Sequence, residues 1–146
     1  MFVEVETVFG AVPIAVITTH GDIDASNFVE LVNEAQQVYN SGVRDVLLDL
    51  SDTHFISSSG LVALHSVALL MRGEQPLDPA GGWDTIHAME SDLDAGMQAH
   101  VKLLNPQERV RRTLERTGLN QFFETFTDKA AALASYRPEG TQASAA

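Results

Sequence analysis

The chain has 146 residues, contains no cysteine and carries 20 acidic against 9 basic side chains, which gives a net charge of −11. A chain of this length folds as one domain that buries about 70% of its unfolded surface, so it needs neither a disulfide nor a metal. The composition excludes cysteine-ligated metal centres and a cysteine nucleophile, and the acidic charge argues against direct nucleic-acid binding.

The sequence gives no sign of membrane insertion or export. No segment is apolar for the ~18 residues that a membrane-spanning helix requires. The first ten residues, MFVEVETVFG, lack the basic start of a signal peptide. We therefore expect a cytoplasmic protein without a membrane span.

The chain opens with two predicted strands and a helix. Residues 2–8 alternate apolar and polar side chains, as a half-exposed strand does. Residues 11–19 are almost all apolar and β-branched, which is typical of a strand buried on both faces. Apolar side chains at intervals of three and four over residues 25–40 predict a helix, and either Asp24 or Ser26 is expected to cap it.

The middle of the chain adds a strand, a second helix and an insertion. Residues 43–50 predict a central strand, and residues 61–72 predict a helix that is apolar on more than one side. That surplus apolar surface is either core or a docking face for a partner. Residues 73–99 contain six acids and no base, and they predict an acidic loop insertion with a short helix over 84–98 and Trp83 as an aromatic anchor for a partner.

The last third begins with a core strand over residues 101–104. Asn105 followed by proline is a typical helix start, so we expect Asn105 to cap a helix over Pro106–Thr117. An edge strand over Phe122–Phe126 and a closing helix through Ala134, capped by Thr127, complete the predicted elements.

This order of elements predicts an α/β single-domain fold. Short apolar strands that alternate with helices favour a mixed, mainly parallel sheet of about five strands with helices packed against it. The domain is expected to cover residues 1–136, and residues 137–146 to form a disordered tail.

Three consecutive serines, Ser57–Ser59, separate the strand-like Phe55-Ile56 from the second helix. A hydroxyl there caps the helix by accepting hydrogen bonds from backbone N–H groups of its first turn. The same N–H groups and the helix dipole would also stabilise a phosphate. The residues leave both roles open, since capping explains one serine and regulatory phosphorylation would use another.

Other polar residues favour no catalytic, metal or cofactor site. Asp22 and Asp24 are spaced as a carboxylate pair, but such a pair is more typical of a turn before a helix, and Asp49 has no accompanying Walker-type glycine loop. No serine lies in the G-x-S-x-G pattern of a hydrolase. None of the five histidines shows metal-ligand spacing; they are His20, His54, His65, His87 and His100. His54 is close enough to the serines in sequence to contact a phosphate. Because no catalytic pattern is present, we predict a binding protein, not an enzyme.

A run of basic residues covers much of the helix after residue 106. It consists of Arg109, Arg111, Arg112 and Arg116. Such a run is usually a solvated face, and Glu108 is placed to pair with Arg112 one turn later. Contact with the acidic insertion or with an acidic partner is the alternative.

Several segments occur together in an order and spacing that resemble a STAS domain, in particular those of the bacterial anti-sigma factor antagonists. The matching segments are Gly21-Asp22-Ile23-Asp24, Asp49-Leu50-Ser51, Phe55-Ile56-Ser57-Ser58-Ser59-Gly60-Leu61, Val101-Lys102-Leu103-Leu104-Asn105-Pro106 and Leu114-Glu115-Arg116-Thr117-Gly118-Leu119. The resemblance covers about residues 3–135, interrupted by the insertion.

The resemblance implies a non-catalytic switch in transcription regulation and stress response. Family members bind an anti-sigma factor that is also a serine kinase of the histidine-kinase-like ATPase fold, and they thereby release the sigma factor. The kinase phosphorylates one serine, which lowers affinity, and a metal-dependent phosphatase removes the phosphate. The matching phosphorylation site is Ser58. Ser57 stands where the family usually has aspartate, which makes it an alternative acceptor. The implied partner-binding residues are Asp22, Asp24, Ser57, Ser59, Gly60, Leu61 and Leu64.

Two other roles fit the same resemblance. A STAS accessory subunit of a transport or lipid pathway would not be regulated by phosphorylation. A scaffold of a stress-sensing complex would assemble into large particles, which size-exclusion chromatography would separate from a 15.8 kDa monomer or its dimer.

Overall fold

The computed structural model describes residues 2–77, 87 and 97–137. The strands within them are β1 (Val3–Phe9), β2 (Pro13–His20), β3 (Asp45–Asp52), β4 (Val101–Leu104) and β5 (Thr125–Phe126). The helices are α1 (Phe28–Asn40), α2 (Ser58–Met71), α3 (Glu108–Thr117), α4 (Leu119–Phe122) and α5 (Lys129–Ala134). Most of the helix predicted over 84–98, together with Trp83 and residues 138–146 of the predicted tail, lies outside the described residues.

The five strands form one sheet in the order β1-β2-β3-β4-β5. β1 pairs antiparallel with β2, and the remaining neighbours are parallel. The α/β fold predicted from the alternation of strands and helices, with a mixed and mainly parallel sheet, is therefore confirmed. None of the described helices is long and apolar enough to cross a bilayer.

The core lies on both faces of the sheet, because side chains alternate along each buried strand. On one face, Ile17, Leu48 and Leu103 pack in a large cluster with the apolar sides of α1 and α2. On the other face, a smaller cluster contains Leu47 and Tyr136, whose hydroxyl donates to the carbonyl oxygen of Val46 at 2.6 Å. Burial raises the pKa of Tyr136, so the phenol remains a neutral donor.

Helix α2 is buried along almost its whole length. Every residue from Gly60 to Met71 is buried. The helix packs against α1 and the sheet, and the ring of His65 stacks on Phe122 with centroids 4.6 Å apart. The surplus apolar surface seen in the sequence is therefore core.

The predicted cap of the first helix is wrong. α1 begins at Phe28, and Asn27 occupies the cap position without a side-chain hydrogen bond to the helix. The Asp24 carboxylate instead accepts from the backbone N–H and the hydroxyl of Ser26, at 2.9 and 2.5 Å. A hydrogen bond between near neighbours in the turn has thus replaced the cap.

The predicted start of the third helix is also wrong. α3 begins at Glu108 after Gln107, and Asn105 has a φ of 51°. Asparagine tolerates this left-handed conformation better than most residues, so Asn105 turns the chain and does not cap the helix.

The C-terminal elements differ in two further details. The strand predicted over 122–126 covers only Thr125–Phe126, because Leu119–Phe122 forms the short helix α4 after the left-handed Gly118. The closing helix is capped by Asp128, which accepts from the Ala130 N–H at 3.2 Å, and not by Thr127.

Candidate functional site

The serine segment lies beside the loop that follows β2. The Ile23 N–H donates to the carbonyl oxygen of Phe55, and the Ser57 N–H donates to that of Ile23, both at 3.0 Å. These bonds form a parallel bridge between Ile23 and Ile56. Asp22 and Asp24 flank Ile23, so the bridge places both acids next to the serines.

The three serines occupy different positions at the start of α2. Ser57 is the N-cap residue, and its hydroxyl oxygen accepts from the Gly60 N–H at 3.2 Å. Ser58 is the first residue of the helix and is exposed. Neither the hydroxyl nor the N–H of Ser58 makes a hydrogen bond to a described residue, and the same holds for Ser59. Capping thus uses Ser57 and leaves Ser58 accessible.

Gly60 allows α2 to approach the neighbouring loop. A Cβ at this position would lie 2.3 Å from the carbonyl oxygen of Ile23 and 2.7 Å from Cγ2 of Ile56. Both distances are far below a normal contact, and the carbonyl belongs to the bridge that aligns the loop with the serines. Glycine is therefore required for the close packing of these two segments.

The residues expected to bind a partner divide into an exposed and a buried group. Leu64 is 0% exposed and belongs to the core, and Gly60 and Leu61 are also buried. The accessible group is named the serine rim here; it consists of Asp22, Asp24, Ser57, Ser58 and Ser59. Direct contact with a partner is therefore available to the serine rim, while Gly60, Leu61 and Leu64 form the layer beneath it.

Asp49 does not lie on the same face of the sheet as α2. Asp49 accepts from the Ser51 N–H and hydroxyl, at 3.0 and 2.7 Å. Side chains alternate along β3, so Asp49 shares the face of Leu47, opposite the one that α2 covers. On the rim itself, the Ser26 hydroxyl and then its N–H lower the pKa of Asp24, which keeps this carboxylate charged.

Comparison with known proteins finds a family match in the first half of the chain. Residues 4–74 match the model of the STAS domain, and this segment contains β1 to α2 and the whole serine rim. This match, over just under half of the chain, assigns the N-terminal segment to the STAS domain. No curated protein sequence matches the chain.

Solved structures share the fold over more of the chain than the family match covers. A candidate anti-sigma factor antagonist from Thermotoga maritima has a TM-score of 0.64 at 16% identity, covering 93% of this chain and 95% of that one. An anti-sigma factor antagonist from Mycobacterium paratuberculosis has a TM-score of 0.62 at 18% identity, again covering 93% and 95%. The phosphorylated form of the Bacillus cell fate determinant SpoIIAA has a TM-score of 0.52 at 16% identity, covering 90% and 96%. At these identities the likeness shows that the STAS fold extends through the C-terminal helices.

Two contacts beside the rim of this STAS domain join α3 to the loop before the serines. His54 Nδ1 lies 2.9 Å from Oε1 of Gln107, whose amide nitrogen donates to the Ser51 carbonyl oxygen at 2.7 Å. The Arg109 guanidinium lies over the ring of Phe55, 4.9 Å from its centroid. Sequence reasoning missed the pairing of His54 with Gln107, because these residues are 53 positions apart. Along α3, Glu108 pairs with Arg112 as predicted.

His20 joins the first three strands of the STAS domain at the same end of the sheet. Its Nδ1 lies 2.6 Å from Asp52 Oδ2, and its Nε2 contacts the Glu4 carboxylate. Hydrogen bonding to Asp52 and then to Glu4 raises the pKa of His20 above its ordinary value of 6.5. Among the residues that the structure describes, no group of three His, Asp or Glu side chains could hold a metal ion.

The raised pKa of His20 predicts a pH-dependent contribution to stability. The folded state binds the His20 proton more tightly than the unfolded state, so the contribution is fully present below pH 6.5 and is lost as the pH rises through the folded pKa. We expect NMR titration of the ring protons to give a pKa above 6.5, and Glu4→Gln to lower it. Glu30→Gln, an exposed change on α1, is the control, and an equal effect of both variants would contradict this role for Glu4.

Proposed function

We propose that this STAS-domain protein is an anti-sigma factor antagonist, a binding protein that acts in the cytoplasm as a regulator of transcription, with a role in stress response. The serine rim binds an anti-sigma factor that is also a serine kinase, and binding frees the sigma factor. Phosphorylation of Ser58 ends the interaction, and a phosphatase restores it. The observation that carries the proposal is the exposed Ser58 hydroxyl, which makes no hydrogen bond to a described residue at the start of a helix.

The contacts of the serines favour Ser58 over Ser57 as the phosphorylated residue. The Ser57 oxygen already accepts from the Gly60 N–H, so phosphorylation of Ser57 would alter an existing helix cap. The hydroxyl of Ser58 can accept a phosphoryl group without breaking a hydrogen bond to the described part of the chain.

The fold can accommodate a phosphate on Ser58. The N–H groups of Ser58 and Ser59 lie in the first turn of α2 and donate no hydrogen bond within the described ranges. Unpaired N–H groups and the positive end of the helix dipole stabilise a negative group at this position. Phosphorylation is therefore expected to change recognition and leave the domain folded.

The charge of the phosphate explains the loss of binding. A phosphoserine adds about −1.5 to −2 charges at neutral pH, next to Asp24, whose lowered pKa keeps it ionised. A partner bound to the rim would have to remove water from the phosphate without supplying a positive charge to pair with it, and such desolvation is costly.

Val29 is an exposed apolar residue on the first turn of α1, and it lies outside the helix's buried stripe. It is proposed as an additional apolar contact for the partner.

Intact-mass analysis of the protein purified from its native cells tests the modification. We expect a species heavier by ~80 Da, the mass of one phosphoryl group, that disappears in Ser58→Ala. Ser57→Asp is the matched control, because aspartate keeps the cap and removes the Ser57 hydroxyl. If the heavier species remained in Ser58→Ala and disappeared in Ser57→Asp, the phosphate would be on Ser57, and the assignment to Ser58 would be wrong. Its absence from the wild type under every growth condition would contradict regulation by phosphorylation.

A further inference from the structure

A cavity of about 280 Å³ lies at the end of the sheet opposite the serine rim. Its lining residues come from the ends of α1 and α2 and from the starts of β3 and β4; they are Tyr39, Arg44, Met71, Arg72 and His100. Residues 1–99 contain 15 acids and only two basic side chains, Arg44 and Arg72. Both of these arginines line this one cavity, although they belong to a strongly acidic part of the chain.

Arg44 is held rigidly at the cavity wall. Its guanidinium lies 3.7 Å from the centroid of the Tyr39 ring, which fixes its plane. Its Nη1 donates to the carbonyl oxygens of Tyr39 and Val43, at 2.7 and 3.2 Å. The Nε and Nη2 groups make no hydrogen bond to any part of the chain that the structure describes. A guanidinium fixed in this way loses little conformational freedom when it binds a ligand.

Arg44 also forms no ion pair with a carboxylate of the described residues, unlike Arg72. Arg72 Nε donates to Glu74 Oε2 at 2.9 Å. His100 Nδ1 lies 2.8 Å from Oδ1 of the buried Asp45. Arg44 has no comparable carboxylate partner there. A planar guanidinium with two unused donors matches the two oxygens of a carboxylate or a phosphoryl group.

We propose that this cavity binds a small organic oxyanion, held by Arg44 and flanked by Arg72 and His100. Pockets for drug-sized ligands have volumes of roughly 300–1,000 Å³, so about 280 Å³ suits a compact carboxylate or phosphate compound. Met71 and the Tyr39 ring provide an apolar wall for its carbon atoms. The inference does not depend on the function proposed for the serine rim, and Ser58→Asp is expected to leave oxyanion binding unchanged.

NMR titration of the full chain tests the site with three salts at matched ionic strength: sodium phosphate, sodium succinate and sodium chloride. We expect saturable shifts of the amides of Arg44, Arg72 and His100 with phosphate or succinate, and none with chloride. A response to phosphate alone assigns a phosphoryl ligand, and a response to succinate alone assigns a carboxylate ligand. Shifts that never saturate, or that chloride reproduces, would overturn the proposal.

Arg44→Lys separates specific binding from general attraction to positive charge. Lysine keeps the charge but lacks the planar pair of donors, so affinity is expected to fall about tenfold while the fold is retained. Arg111→Lys, an exposed change on α3, is the matched control and is expected to bind as the wild type does. Equal affinity of these two variants would show that Arg44 does not hold the anion.

Discussion

Ser58→Asp is expected to weaken binding to the cognate anti-sigma factor kinase by at least about thirtyfold, because an unpaired charge buried at an interface costs about 2–5 kcal/mol. Ser58 is exposed on the first turn of α2, so aspartate there presents its charge directly to a docked partner. Ser58→Ala removes the acceptor hydroxyl and is expected to bind like the unmodified protein even in the presence of ATP. Biolayer interferometry with purified kinase measures both affinities.

Asn120→Asp is the control for an added negative charge. Asn120 is exposed on α4 and makes no hydrogen bond to a described residue, so the same change of charge is placed away from the serine rim. Its affinity for the kinase should equal that of the wild type. If Ser58→Asp and Ser58→Ala bound the kinase equally well, charge at this position would not control recognition.

Gly60→Ala is expected to produce the largest loss of stability among these single changes. The added methyl group would lie 2.3 Å from the Ile23 carbonyl oxygen, and the hydrogen bond from the Ser57 N–H to that oxygen would be strained. Overpacking of this kind costs roughly 2 kcal/mol, which corresponds to a decrease in Tm of roughly 5–8 °C for a domain of this size. Thermal unfolding followed by circular dichroism measures the decrease.

Gly10→Ala provides a matched control for the glycine change. A Cβ at Gly10 would meet only the Val12 carbonyl oxygen, at an ordinary 3.9 Å. Its effect on the free energy of unfolding should stay within about 0.5 kcal/mol. Equal Tm values for Gly60→Ala and the wild type would show that the loop and α2 can separate without cost, which would contradict the tight packing described for the rim.

The sheet and the position of the serines could be predicted from sequence because strong local patterns specify them. The continuous apolar run of β2 and the alternation of strands and helices limit the possible arrangements to a mainly parallel sheet. The parallel order brings the ends of β2 and β3 to one edge, where Ile23 bridges Ile56. The serine segment is at that edge because it directly follows β3 in the chain.

The caps could not be predicted because several polar residues compete over a few positions. Asp24 bonds with Ser26 and does not cap α1, and Asn105 takes a left-handed turn before α3. These choices differ by single hydrogen bonds, which contribute about 1 kcal/mol each. Tertiary contacts decide which residue caps the helix, and these contacts cannot be inferred from a local sequence pattern.

For a related reason, the sequence could not show which apolar residues of α2 belong to the core and which to the surface. Leu64 lies in a helix that is apolar on several sides, so the pattern alone allowed either a core or a docking role. Packing against both α1 and the sheet buries it completely. The proximity of Arg44 and Arg72 could not be predicted either, because Arg44 directly precedes β3, Arg72 follows α2, and the two are 28 positions apart.

A pull-down from a lysate of the source cells, with the wild type and Ser58→Asp as baits, tests the central claim most directly. The proposed function predicts that the wild type recovers an ATPase of the histidine-kinase-like fold with serine-kinase activity, and that Ser58→Asp recovers little or none of it. Mass spectrometry of the two eluates identifies and quantifies this protein. Equal recovery by both baits, or no such ATPase with the wild type, would contradict the proposal.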